Sequence, residues 1–282
     1  MALHLLRMIS ATALIVLCTM LPFLPGRYDG LAVALSGMAQ VFGFVGLLLV
    51  PAAAFWLAFN ARRRGATGVP ARRDGAAAAV LVVAAFVGLI VALTAVVFSG
   101  FSLAIVAVAL WASFVWKGAR RRARASPTAP RLTRPTAVAL MLVPIAVTTL
   151  QFSLAGPVSE WSRGRAIRNS ARLIADIETY REAHGRYPPS LLALWPDYHP
   201  GLIGVAQYRY EPSGDAYNLV FEHPSLRLGT REIVVYNPRD EQVATSHAVD
   251  LLEYAGQALE VRRGYLTVHP ANAPHWKYFL FD

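Results

Sequence analysis

The sequence predicts an α-helical membrane bundle of five transmembrane helices, followed by an α+β soluble domain in which a long helix packs on an antiparallel sheet. Three observations predict it. Of 282 residues, 55% are hydrophobic and 16% charged, where soluble domains are about a quarter charged. The apolar residues lie in runs of about 20, the length that crosses a hydrocarbon core roughly 30 Å thick. Charge divides sharply along the chain. Up to Gly156 there are fourteen basic and two acidic residues, net +12, and from Pro157 onward thirteen basic and fifteen acidic, net −2. The expected domains are therefore 1–156, the membrane part, and 157–282, the soluble part.

The first span covers about 5–24 and ends at Pro25-Gly26. Its charged start and apolar middle also fit a signal peptide. No small-x-small site follows, however, and Pro22 and Pro25 stand where one belongs, so an uncleaved anchor is expected. The second span, 31–59, is long enough to tilt or to kink at Pro51, and Gly37, Gly43 and Gly46 give it a small-residue face for close helix packing. The third covers 75–98, and after the Ser99-Gly100 turn a short fourth covers 101–116. The fifth covers 136–155 and contains Pro144. Trp111, Trp116 and Trp161 fall near the expected interfaces, where indole rings settle.

The basic residues orient the bundle. Asn60–Gly75 carries five arginines, and Lys117–Arg134 carries six arginines and a lysine, whereas the opposite side offers Arg27 and the Ser99-Gly100 turn. The positive-inside rule puts both basic loops and the N-terminus in the cytoplasm, and five crossings put residues 157–282 outside. Arg163, Arg165, Arg168 and Arg172 cut against this, but long domains translocate largely regardless of charge. Arginine outnumbers lysine 25 to 2, which fits a GC-rich bacterial genome. The expected localisation is the bacterial inner membrane, with the C-terminal domain periplasmic. The pI near 10.2 thus reflects topogenic loops, and no nucleic-acid partner is expected.

The soluble part opens with a helix over Val158–His184. Ile167, Ala171, Leu173, Ile174, Ile177 and Tyr180 share its apolar arc, and Arg165, Arg168, Arg172 and Asp176 the charged one. Gly185 and Pro188-Pro189 stop it, and Ser190–Trp195 reads as a short second helix. Gln207–Glu211 and Ala216–Glu222 alternate around Pro212-Ser213-Gly214-Asp215 as a hairpin. Glu232–Tyr236 and Gln242–Ser246 around Asn237-Pro238-Arg239-Asp240 read as a second. Leu259–Val268 and Lys277–Phe281 are expected strands. The one cysteine, Cys18, lies in a span, so this domain must hold together without disulfides.

The run ARLIADIETYREAHGRYPPSLLAL (Ala171–Leu194), followed by YRYEPSGDAYNLVF (Tyr208–Phe221), resembles the type IV pilin and major pseudopilin domain. In that family a membrane-anchored amphipathic helix ends in a turn like His184-Gly185-Arg186-Tyr187-Pro188, and an antiparallel sheet follows. The likeness covers about Ala166–Glu222. No prepilin processing site precedes 136–155, and four spans lie upstream. Peptidase cleavage and filament assembly are therefore not expected, and what the resemblance implies is a fold.

Chemistry is sparse. The spans hold no central ionisable residue, only Gln40, Gln151 and scattered Ser and Thr, which argues against a proton-coupled transporter. Gln40 reads as a helix-packing hydrogen bond. His184, His199, His223, His247, His269 and His275 lie in the soluble part without metal-ligand spacing. Asp197 with His199, or His247 with Asp250, offers a fragment of an acid–base pair, but no Gly-x-Ser-x-Gly accompanies either. Tyr187, Trp195, Tyr198, Tyr208 and Tyr210 form either a binding face or the core between helix and sheet. No catalytic, cofactor-binding or metal residue is assigned, and no cofactor. Three functions stand open. The leading one is a non-enzymatic protein presenting a pilin-like domain for interaction or envelope support, with the lipid bilayer and an envelope protein as partners. The others are a membrane enzyme acting on an envelope substrate and a small-solute transporter without ionisable coupling residues.

Overall fold

The computed structural model describes residues 2–66, 75–99, 101–124, 132–194, 197–213, 215–242 and 267–281. Contacts divide the chain into two units, one of Met1–Met20 with Val33–Leu154 and the other of Leu21–Ala32 with Ala155–Asp282.

The first unit is helical. Its elements are α1 (Ala2–Met20), α2 (Gly30–Val45), α3 (Leu49–Ala66), α4 (Gly75–Ser99), α5 (Phe101–Arg124) and the first part of α6 (Arg134–Asn169). Among the described residues five stretches are long and apolar enough to cross a membrane: Ala2–Phe23, Gly30–Ala61, Gly75–Val97, Phe101–Arg121 and Arg134–His184. The second is interrupted by a 3₁₀ turn at Gly46–Leu48, one turn before the kink expected at Pro51. Proline at 51 cannot bond back to the Leu47 carbonyl, so the preceding turn tightens. Helices α3 and α5 run on into the arginine-rich segments expected as loops. The remainder of those loops, 67–74 and 125–131, lies outside the described residues.

Polar side chains tie these helices together. Thr148 Oγ1 donates to the Gly43 carbonyl at 2.7 Å, and Ser36 Oγ donates to the Thr19 carbonyl at 2.7 Å and accepts Gln40 Nε2 at 3.2 Å. A Cβ on Gly43 would lie 2.9 Å from Gln151 Oε1, and one on Gly46 would lie 3.2 Å from Pro144. These glycines let α2 approach α6. Trp111, expected at an interface, donates its indole N–H to the Ala85 carbonyl at 3.0 Å and so joins α5 to α4. Trp116 and Trp161 are exposed.

The second unit is α+β. The last part of α6 and α7 (Ala171–His184) cover one face of a five-stranded antiparallel sheet. Its strands are β1 (Arg209–Ser213), β2 (Ala216–His223), β3 (Arg231–Tyr236), β4 (Thr267–Pro270) and β5 (Trp276–Phe281), in the order β1-β2-β3-β5-β4. Helix α6 begins at Arg134 and passes Gly156-Pro157 without a break, where a new helix was expected at Val158. One proline removes one N–H, and the flanking turns carry the helix across it. At Ser170 the interruption before α7 is nominal, since Ser170 keeps helical dihedrals and Ile174 N–H still bonds its carbonyl at 2.9 Å. Gly185, in the left-handed region at φ 69°, ends α7.

The helix-facing side of the sheet carries the core. Ala166, Ile167, Leu173 and Ile177 meet Tyr208, Tyr217, Leu219, Phe221, Val234, Tyr236 and Trp276. Ile174 is half-buried and Ala171 exposed, because the buried arc is centred between Leu173 and Ile177, with Ile174 at its edge and Ala171 beyond it. Tyr187, Tyr198 and Tyr210 pack against this core, and Tyr208 donates to the Ala166 carbonyl at 2.5 Å. Trp195 is outside the described residues. Val220, Ile233, Val235, Phe279 and Phe281, on the opposite face, are buried too. The first hairpin forms, with Ser213 opposite Ala216. The second does not. Strand β3 pairs with β2 on one side and β5 on the other, leaving no edge for Gln242–Ser246. Asp240 takes a positive φ of 61° and Gln242 leaves the sheet to bond the His275 carbonyl at 2.6 Å. Residues 243–266 lie outside the described set.

Leu21–Ala32 is part of this unit. Backbone hydrogen bonds join Gly26 N–H to the Gly201 carbonyl (3.2 Å), Ile203 N–H to Leu24 (3.0 Å), Gly204 N–H to Pro22 (2.7 Å) and Asp29 N–H to Ile203 (3.0 Å). The chain after α1 thus lies along 201–204 like a short strand pair.

Candidate functional site

Two places in the second unit bring chemistry-bearing residues together. The first is buried. His223 and Glu232 are register partners at the ends of β2 and β3, both on the helix-facing side. From α6, Ser162 and Arg163 come down on them. Ser162 Oγ and His223 Nε2 share a hydrogen bond of 2.8 Å, and Arg163 Nε donates to Glu232 Oε1 at 2.7 Å. His223 Nδ1 lies 3.1 Å from the same Glu232 oxygen. The ring N–H direction falls short of a hydrogen bond there, so this contact is electrostatic. The Arg163 guanidinium stacks over the Tyr278 ring at 3.6 Å, and Phe23 meets the His223 ring edge-on at 5.7 Å. Burial pushes the Glu232 carboxyl up, but His223 and Arg163 outweigh it and hold the group below the ordinary carboxylate range.

Serine, histidine and glutamate in this order follow the connectivity of a hydrolytic triad. The geometry nevertheless withholds that chemistry. Ser162 is 0% exposed, His223 2% and Glu232 3%, so no substrate reaches the hydroxyl. Ser162 Oγ also lies 2.8 Å from the Val158 carbonyl. A carbonyl can only accept, so the hydroxyl proton points there and His223 Nε2 is the donor to Oγ. Activation needs the reverse. Arg163 further takes the carboxylate oxygen that would orient the imidazole. The cluster is a polar lock between α6 and the sheet.

The second place is open. A cavity of about 270 Å³ is lined by Gly26, Arg27, Tyr28, Asp197, His199 and residues of the 200–206 loop, including Leu202 and Val205. His199 Nε2 lies 2.8 Å from Asp197 Oδ2, and both side chains are largely solvent-exposed. This pair was expected from the sequence; the wall supplied by Gly26–Tyr28 was not. Four of the other histidines do structural or surface work. His184 Nδ1 pairs with the Tyr180 carbonyl at 2.9 Å, His269 with Thr267 Oγ1 at 2.7 Å and His275 with Asp240 at 3.0 Å, while His223 is in the lock. His247 and Asp250 lie outside the described residues. Among the described residues no three His, Cys, Asp or Glu side chains converge to hold a metal.

The lock was missed although the signal was present. His223 continues the inward phase of Tyr217, Leu219 and Phe221, and Glu232 that of Val234 and Tyr236. Arg163 stands four residues before Ile167, on the apolar arc itself. Comparison with protein-family models, curated proteins and solved structures finds no match for this chain, so the reading of its function rests on these two places.

Proposed function

We propose that the chain is a multi-pass inner-membrane protein whose C-terminal domain faces the periplasm and acts, without catalysis, as a pilin-like interaction or support module of the envelope. The observation that carries this reading is the docking of Leu21–Asp29 on Gly201–Gly204. It makes the segment after the first apolar stretch part of the same folded unit as the C-terminal domain. Segments bonded to each other share one side of a membrane, so an even number of crossings separates them. Four apolar stretches lie between Asp29 and Gly201, which agrees. The arginine-rich segments, one and three crossings on, then fall on the opposite side, where the positive-inside rule wants them. The sealed Ser162–His223–Glu232 cluster supports a structural use of the domain's buried polar groups. A continuous helix laid over an antiparallel sheet that opens with the sequential strands β1-β2-β3 supports the pilin-like build.

Two measurements test it. Reporter fusions after Gly68 and Pro127 should read cytoplasmic and a fusion at Asp282 external; a cytoplasmic reading at Asp282 overturns the topology. A photo-crosslinking residue at Leu192, which is 88% exposed, should give a discrete adduct with an envelope protein in cells. Absence of any adduct there and at Tyr180 removes the interaction reading.

A further inference from the structure

We infer that the cavity walled by Gly26–Tyr28 and the 197–206 loop is a binding site for a phosphate group, with Arg27 as its counter-charge. The site rests on the membrane reading only for where its ligand comes from. Its walls are fixed before any ligand arrives. Gly26 and Ile203 are held by backbone bonds to Gly201 and Leu24, and a Cβ on Gly26 would come within 2.7 Å of Ile203 Cγ1. At about 270 Å³ the cavity suits a headgroup-sized ligand.

Arg27 supplies the cation of this wall. Asp197, whose carboxylate keeps its charge, is held to His199 Nε2 at 2.8 Å. Asp29, two residues beyond Arg27, caps the next helix by accepting Leu31 N–H at 2.8 Å and Ala32 N–H at 3.4 Å. Arg27 has no ion-pair partner among the described residues, and the Tyr28 hydroxyl has no hydrogen-bond partner among them. A guanidinium offers a donor fork that matches phosphate oxygens, and a phenol adds one more donor. Leu202 and Val205 supply an apolar floor for whatever carries the phosphate. Two sources can present such a group, a phospholipid headgroup or free phosphate. Only six residues, 24–29, separate the stretches Ala2–Phe23 and Gly30–Ala61. Arg27 therefore stays within a few residues of the bilayer boundary if both stretches cross, where headgroups are concentrated.

The test uses the full-length chain in an uncharged detergent, titrated with dihexanoyl phosphatidylglycerol, inorganic phosphate and dihexanoyl glycerol, with binding read by calorimetry. The expected result is saturable binding of the phospholipid and none of the uncharged diacylglycerol. Arg27→Gln should weaken it at least about tenfold and Arg27→Lys partly restore it, while Arg168→Gln, an exposed arginine on α6, should leave it unchanged. Phosphate binding as tight as the lipid would assign the site to free phosphate; much weaker phosphate binding assigns it to the lipid. Equal binding of the diacylglycerol, or an Arg27→Gln variant that binds like the parent, overturns the site. Resistance to carbonate extraction reads the membrane assignment separately. Protein that stays in the membrane but ignores both phosphate probes overturns this inference alone.

Discussion

Arg163 Nε and Glu232 Oε1 stand 2.7 Å apart with both side chains at least nine-tenths buried, an ion pair reaching from helix α6 to strand β3. A buried pair is costly to break from one side, because the survivor keeps an uncompensated charge. Arg163→Leu should destabilise the protein by about 3–5 kcal/mol, whereas replacing both partners with apolar residues should recover most of that loss. Chemical unfolding of the full-length chain in detergent measures both. Equal destabilisation by the single and double changes would show that packing, not charge, sets the cost.

The same pair predicts an acid dependence. The Glu232 carboxyl is held below its ordinary value in the folded protein. Its contribution is therefore complete above the unfolded carboxylate pKa of about 4.3 and is lost as pH falls through the lower folded value. The stability gap between the parent and Glu232→Gln should narrow as pH falls below about 4. A gap that widens below that pH would contradict the assigned sign.

Ser162 should be inert to serine-directed reagents. Its hydroxyl is fully buried and bonded to the Val158 carbonyl. A fluorophosphonate probe should leave the native protein unlabelled, and Ser162→Ala should cost about 1–3 kcal/mol of stability for the hydrogen bond it strands on His223. Covalent labelling at Ser162 would refute the lock and restore the enzyme reading.

The docking of the first loop can be tested by glycine substitution. A Cβ at Gly204 would sit 2.6 Å from the Pro22 Cβ and 2.7 Å from its carbonyl oxygen, which is backbone and cannot step aside. At Gly26 the obstacle is the flexible Ile203 side chain. Gly204→Ala should therefore cost about 1–3 kcal/mol and Gly26→Ala less. The reverse ranking in thermal unfolding would mean that the loop is not seated on 201–204.

Helix α7 gives the clearest core ranking. Leu173 and Ile177 are fully buried and Ile174 is half so. Leu173→Ala and Ile177→Ala should each cost about 2–5 kcal/mol, Ile174→Ala less, and the exposed Arg168→Ala within about 0.5. These changes belong in the full-length chain, because a fragment beginning at Pro157 lacks Phe23 and its neighbours. Comparable effects at all four positions would mean that α7 is not docked through this face.

The pattern of what could be read from the sequence follows contact range. The five apolar helices, the Gly185 stop and the Ser213–Ala216 hairpin depend on residues near one another in the chain, and runs and periods report them. The pairing of β3 with β5 joins Tyr236 to Trp276 across forty residues, so the nearer turn at Asn237–Asp240 drew the second hairpin wrongly. Arg163 and His223 were legible by phase, but charge alone suggested surface. Nothing local pointed from Gly26 to Gly201, since neither carries a side chain to form a pattern.

That last contact also sets a clock for synthesis. Leu24 and Ile203 are 179 residues apart, yet their backbones are bonded. At a translation rate of about 5–20 residues per second, the first loop waits roughly 10–35 s for its partner strand to be made. During that interval Phe23 has no pocket to enter. The C-terminal domain closes around an element delivered long before it, so its last folding step comes after the final helix has emerged. An early arrest of the ribosome would leave an apolar hook open to whatever passes.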